Sequence, residues 1–169
     1  MENFNILDHG IHYIDLSRYY TGLTPRRVKA TTTMVPGQAA VSPMIYTILC
    51  EYAPEAQVMT TLHFNNIVPG PQLRRYEWFL DGTLGSAAAS QTELVISLKD
   101  FPHEKQVFAL QGRWFPDAFG GSMGEMLRSL AEGRAPQTSG RDNLNSLRIA
   151  YAAIESSRSG RTVELTEIT

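Results

Sequence analysis

The chain has one cysteine, no long apolar run and no strong excess of either charge. A lone thiol, Cys50 within MIYTILCEYA, excludes an internal disulfide framework and reads as a small buried hydrophobe rather than a nucleophile. No apolar segment approaches the ~20 residues of a membrane span and no signal peptide is recognisable, so a reducing, cytoplasmic location and no membrane contact are expected. With 15 Lys and Arg against 17 Asp and Glu the formal charge is -2, which gives no electrostatic case for nucleic acid. Four scattered histidines lack metal-ligand spacing, so no metal is expected. The G-x-G-x-x-G fingerprint, a phosphate-binding loop and a G-x-S-x-G elbow are also missing.

What is present suits one globular domain of 169 residues, 43% hydrophobic and 19% charged. A helix is expected from about Asp8, as its cap, to Thr21, with Gly22 as its stop. Between Arg26 and Gly112 the segments RRVKATTTMV, MIYTILCEYA, AQVMTTLHFNN, RRYEWFLDG, SQTELVISL and KQVFALQG are rich in β-branched and aromatic residues and are divided by turn formers. They predict a mostly antiparallel sheet. MIYTILCEYA is apolar on both alternating faces, which points to cover on both sides.

Two helices follow. SMGEMLRSLAEG has Ser122 and Glu125 in capping-box spacing, with Met123, Met126, Leu127 and Leu130 as an expected core face. SGRDNLNSLRIAYAAIESSRSG offers Ser139 and Asp142 at its start, a stripe of Leu144, Leu147, Tyr151 and Ile154, and Gly160 as a stop. RTVELTEI reads as a last short strand. The expected class is therefore α+β, an open antiparallel sheet with helices on one face.

Polar chemistry concentrates near the start, in ILDHGIHYIDLSRYYTG. Asp8, His12, Asp15 and Tyr19 follow i, i+4, i+7, i+11 and share one stripe. An acid beside an imidazole can fix its tautomer for proton transfer. The spacing alone favours a plainer account, a capping Asp and a surface His. His63 and Asn65 at a strand end, and Tyr76 on the next segment, are further candidates for ligand contact. Turn formation and cross-strand packing explain those three as readily.

D-H-G-I-H-Y-I-D, followed by Leu16, Arg18 and Gly22, resembles the D-x-G-x-H-x-x-D motif of the glucose–fructose oxidoreductase / inositol dehydrogenase (Gfo/Idh/MocA) family. The tail from Gly120 to Leu165 resembles that family's closing two helices and strand. Gly82 to Ser86 is similar to its glycine-containing turn.

The resemblance implies the C-terminal, substrate-binding and oligomerising domain of an NAD(P)-dependent dehydrogenase acting on a secondary alcohol of a sugar, cyclitol or similar polyol. It assigns catalysis to Asp8 and His12, with His12 as proton acceptor and Asp15 structural, and reverses the plainer account of that pair. The family's N-terminal Rossmann domain, with its glycine fingerprint and active-site lysine, has no counterpart in these residues. Residues 1–169 are therefore expected to be the C-terminal domain alone, partnered by a Rossmann domain in cis or on a separate chain. Such a chain would be inactive by itself, would hold no NAD or NADP, and would pair with a second copy through its open sheet face. The rival expectation is a stand-alone binding or scaffold domain that keeps the fold without redox chemistry.

Overall fold

The computed structural model describes residues 3–169. In chain order these form a π-type turn at Ile6–Gly10, α1 (Ile11–Thr21), β1 (Arg27–Thr33), β2 (Ile45–Glu51), β3 (Met59–Asn65), β4 (Trp78–Asp81), β5 (Gly85–Ala89), β6 (Glu93–Leu98), β7 (Gln106–Ala109), α2 (Phe119–Ala131), α3 (Gly140–Ser159) and β8 (Val163–Glu164). Two compact units result. One comprises residues up to Pro69 together with Thr138–Thr169, the other Gly70–Gln137. The α+β class and antiparallel pairing agree with expectation, and the strands divide between two four-stranded sheets.

The first unit has a sheet of order β3-β2-β1-β8, antiparallel throughout. Period-two alternation sorts its side chains. Val28 and Ala30 on β1, with Tyr46, Ile48 and Cys50 on β2, are buried on one face. That face carries α1 and α3, whose Ile14, Ile149, Ala150, Ala153 and Ile154 complete the core. The opposite face, including Thr31, Thr47, His63 and Asn65, is open or half-open.

Helix α3 departs from its expected packing. Leu144, Leu147 and Tyr151 are 55%, 37% and 49% exposed, and of the predicted stripe only Ile154 is buried. Burial falls instead on Ser146, Ile149, Ala150, Ala153 and Ser156. Small side chains let the helix backbone approach the sheet closely, and the Ser156 hydroxyl accepts from the Ala30 N–H at 2.9 Å while donating to the Arg161 carbonyl at 2.6 Å. The ends are as predicted: Ser139 Oγ accepts from the Asp142 N–H, and Gly160 takes a left-handed φ of 71°.

The second unit is a meander, β4-β5-β6-β7, with α2 after it. Strand β5, GSAAA, has little strand propensity and was not among the expected strands. Pairing on both sides holds it, and Gly85 is needed because a Cβ there would run into the Ser97 carbonyl oxygen. Ser122 does not cap α2. The helix begins earlier, through a π-type turn at Trp114–Ala118, and the Ser122 hydroxyl donates to the Phe119 carbonyl inside the first turn. Nor are the α2 methionines and leucines core here: Met123, Met126, Leu127 and Leu130 are 52% to 68% exposed.

Among the described residues no helix is long and apolar enough to cross a membrane.

Candidate active site

Asp8 does not cap a helix. Helical backbone already runs from Phe4, and Asp8 sits inside the π-type turn that leads into α1. Wider turns of this kind recur at functional sites. Here one has a visible cause in packing. Gly10 lies against the Phe64 ring, where a Cβ would stand 2.6 Å from Cζ, so only glycine lets the turn sit down on β3. Phe64 in turn stacks on the buried Tyr46 at 5.2 Å and meets Tyr13 at 6.0 Å.

Seated this way, the turn and the first turn of α1 leave Asp8 and His12 exposed. The imidazole that follows Asp8 turns inward. His9 is half-buried, with Nδ1 2.7 Å from the Asn66 amide nitrogen and Nε2 3.2 Å from the Tyr13 hydroxyl. Its ring stands edge-on to Tyr13 at 5.1 Å. The Asn66 amide also donates to the side-chain oxygen of Asn5, which is buried and whose backbone N–H donates to Ser42. Burial lowers the His9 pKa from the usual imidazole value, and the nearby His12 lowers it further. The Asp8 carboxylate acts in the opposite sense.

One helical turn on, Asp15 has a structural setting. Its Oδ1 accepts from the Ser146 hydroxyl at 2.7 Å and lies 3.6 Å from Arg18. Arg18 reaches α3 with a paired contact to Asp142, NH2 to Oδ1 at 2.7 Å and NH1 to Oδ2 at 3.1 Å, and also donates to Ser146 at 2.9 Å. The guanidinium lowers the Asp142 pKa from the ordinary carboxylate value. This clasp locks α1 to α3 and so fixes the helix that displays His12.

The other sequence candidates lie elsewhere. His63 and Asn65 share parity on β3 and project to the face opposite α1 and α3. There His63 Nδ1 is 2.9 Å from the Thr47 hydroxyl, and the Asn65 side chain accepts from the Ile67 N–H. Tyr76 is half-buried just ahead of β4, in the second unit. None of the three is drawn into the His9–Asn66 network. Cys50 is buried, which pushes its thiol up to about 11 and keeps it protonated at neutral pH. Among the described residues no three His, Cys, Asp or Glu side chains gather as a metal-holding group.

Sequence reasoning passed over His9 and Tyr13, and of the strand-end pair Asn65-Asn66 it carried Asn65 forward. The signal was parity: Phe64 is the buried position of β3, so the residue two further on, Asn66, continues the helix-facing side, and its neighbour Asn65 does not.

A nicotinamide dinucleotide needs glycines at a strand-to-helix turn and a helix N-terminus aimed at its pyrophosphate. The described residues do not fit it. Every strand pairing is antiparallel, and the first turn of α3 carries the acidic Asp142.

The comparisons with known proteins agree with this architecture. Residues 3–88 match the GFO/IDH/MocA C-terminal domain, half of the chain, and the protein belongs to that family. D-apiose dehydrogenase of Paraburkholderia graminis is 28% identical over 97% of this chain and 45% of its own length. An oxidoreductase from Agrobacterium radiobacter, solved in complex with NAD+, L-tartaric acid and magnesium, superposes with a TM-score of 0.84 at 21% identity, covering 100% of this chain and 51% of that one. Aldose-aldose oxidoreductase from Caulobacter crescentus, complexed with glycerol, gives 0.75 at 18% identity over 95% and 47%. The chain thus spans about half the length of these relatives.

Proposed function

We propose that this chain is the substrate-side domain of an NAD(P)-dependent dehydrogenase that oxidises a secondary alcohol of a sugar, cyclitol or similar polyol. The observation that carries the reading is the exposed Asp8–His12 stripe on a turn whose seat, Gly10 on Phe64, is built for it. Oxidising an alcohol removes a proton from oxygen and a hydride from carbon. The family implies NAD or NADP as hydride acceptor, and these residues offer it no cradle, so a dinucleotide-binding domain, in cis or on another chain, must supply it. What the chain itself supplies is the proton side. His12 accepts the hydroxyl proton and Asp8 orients the imidazole or the substrate. His63, Asn65 and Tyr76 are substrate contacts only if substrate reaches past the helix face.

The test joins this chain to a dinucleotide-binding domain of the family and follows nicotinamide absorbance with a panel of aldoses and cyclitols. His12→Ala should depress turnover by roughly two to four decades, the usual loss of a general base, with cofactor affinity unchanged. Parental turnover in that variant would sink the reading.

The same reading includes self-association through the open face of the first sheet. Ile45, Leu49 and Met59 share that face, and Met59 is 68% exposed. Sedimentation should find a dimer or larger; a monomer at all accessible concentrations would refute it.

A further inference from the structure

Asp8 has one imidazole next to it in the chain, His9, and a second one helical turn on, His12, and a carboxylate that pairs with one is less available to the other. Resting on the reading of Asp8 and His12 given above, we infer that His9 is a positioning residue. The Asn66 amide and the Tyr13 hydroxyl engage both of its ring nitrogens, and so reserve the Asp8 carboxylate for His12 and substrate.

Both Asn66 donors are used in this assignment, while the neighbouring Asn5 Nδ2 is buried without a partner. The Asn66 amide has two protons, and two acceptors are in reach, the Asn5 side-chain oxygen and His9 Nδ1. Donation into Nδ1 puts the His9 ring proton on Nε2, where the Tyr13 oxygen accepts it. A ring bonded at both nitrogens in a half-buried slot is held in one tautomer and one orientation. It cannot swing out to meet Asp8. The anchors belong to different elements: Tyr13 to α1, Asn66 to the end of β3, and Asn5 to the start of the helix. Asn66 is itself fixed by its backbone N–H, which donates to the Met44 carbonyl at 3.0 Å. The orientation of His9 thus reports that the turn is seated on the sheet. Residues that hold a site rigid from beneath raise its effective precision without touching substrate.

The experiment uses the 169-residue chain, labelled with 15N and 13C. Long-range 1H–15N spectra give each ring's tautomer and midpoint, and the Asp8 carboxyl carbon reports which imidazole titrates beside it. In the parent, His9 should be the Nε2–H tautomer, and Asp8 should show its larger step at the His12 midpoint and only a small one at the His9 midpoint. In Asn66→Ala that tautomer preference should be lost, and the Asp8 step at the His9 midpoint should grow to at least the size of the other. Adding His9→Asn to Asn66→Ala removes the competing imidazole and should leave only the His12 step at full size, a rescue that a purely structural role would not produce. Should Asn66→Ala fail to fold, Tyr13→Phe, which keeps the ring and removes only the hydroxyl, takes the same measurement. An Asp8 step at the His9 midpoint that is unchanged in Asn66→Ala or Tyr13→Phe overturns the inference and leaves the Asp8–His12 pair standing. A parent Asp8 that ignores His12 overturns the pair, and the inference with it.

Discussion

The two units use similar antiparallel ladders to very different effect. In the first, two helices cover one sheet face, and every member of the buried hydrophobic core lies there. In the second, only Ser129 is fully buried, and Phe79, Leu84, Phe115, Leu127 and Leu130 are each 68% exposed or more. Hydrogen-bonded strands therefore set the shape of both, while hydrophobic burial stabilises mainly one. The proposed catalytic stripe stands on the unit with the core. A general base must be held within a fraction of an ångström, and close packing is what supplies that rigidity.

The largest expected break in this contrast is a cavity. Ile48 is fully buried at the centre of β2, so Ile48→Ala should cost about 2–5 kcal/mol. Leu84→Ala, at a position 79% exposed in the second unit, should stay within about 0.5 kcal/mol. Urea denaturation of both variants makes the comparison. Equal losses would mean that Leu84 is covered in solution.

A smaller effect separates the two arginine clasps. Arg18 is only 10% exposed, bonds Asp142 and Ser146, and keeps one buried nitrogen, Nε, without a partner. Arg18→Ala should cost about 1–2 kcal/mol, since it strips charged hydrogen bonds from Asp142 and Ser146 on α3 and an ion pair from Asp15 on α1. Arg134 in the second unit bonds Glu125 and Glu132 in a far more open setting, 43% exposed. Arg134→Ala should cost distinctly less. Thermal melts of the two variants, with 0.5 M salt as a second condition, would sharpen the contrast. Salt should mask the loss at Arg134 more than at Arg18.

Much of the first unit was readable in the chain, because alternation and caps are local signals. β1, β2 and β3 fall inside the segments picked for β-branched content, and Gly22, Ser139 and Gly160 end or begin helices as their residue types require. What failed was tertiary. Strand β5 is made by its neighbours rather than by GSAAA. The stripe of α3 was assigned to its large residues, when close approach to the sheet selected serine and alanine. The candidate site divides the same way. Asp8 and His12 were visible as a motif. The inward His9 was not, because nothing in H-G-I-H says which imidazole the π-type turn rotates toward Asn66.

The smallest effect concerns acid. Burial holds the His9 pKa below the imidazole norm of about 6.5, whereas the unfolded chain titrates at that norm. Between the two values the unfolded state binds a proton that the native state does not. By linkage, stability from this site is whole above about pH 6.5 and falls as pH drops toward the lower folded value. The half-open ring keeps that loss small. Asp142, its pKa lowered by Arg18, adds its own loss only below the ordinary carboxylate range near 4. In the second unit, Glu125 is held at about 2 by Arg134, so that clasp should persist until the acid is far stronger. Denaturation midpoints from pH 7.5 to 5 should therefore decline gently in the parent and flatten in His9→Asn, which has no ring to protonate. A parent curve already flat across that interval would mean that the His9 slot is as wet as the second unit.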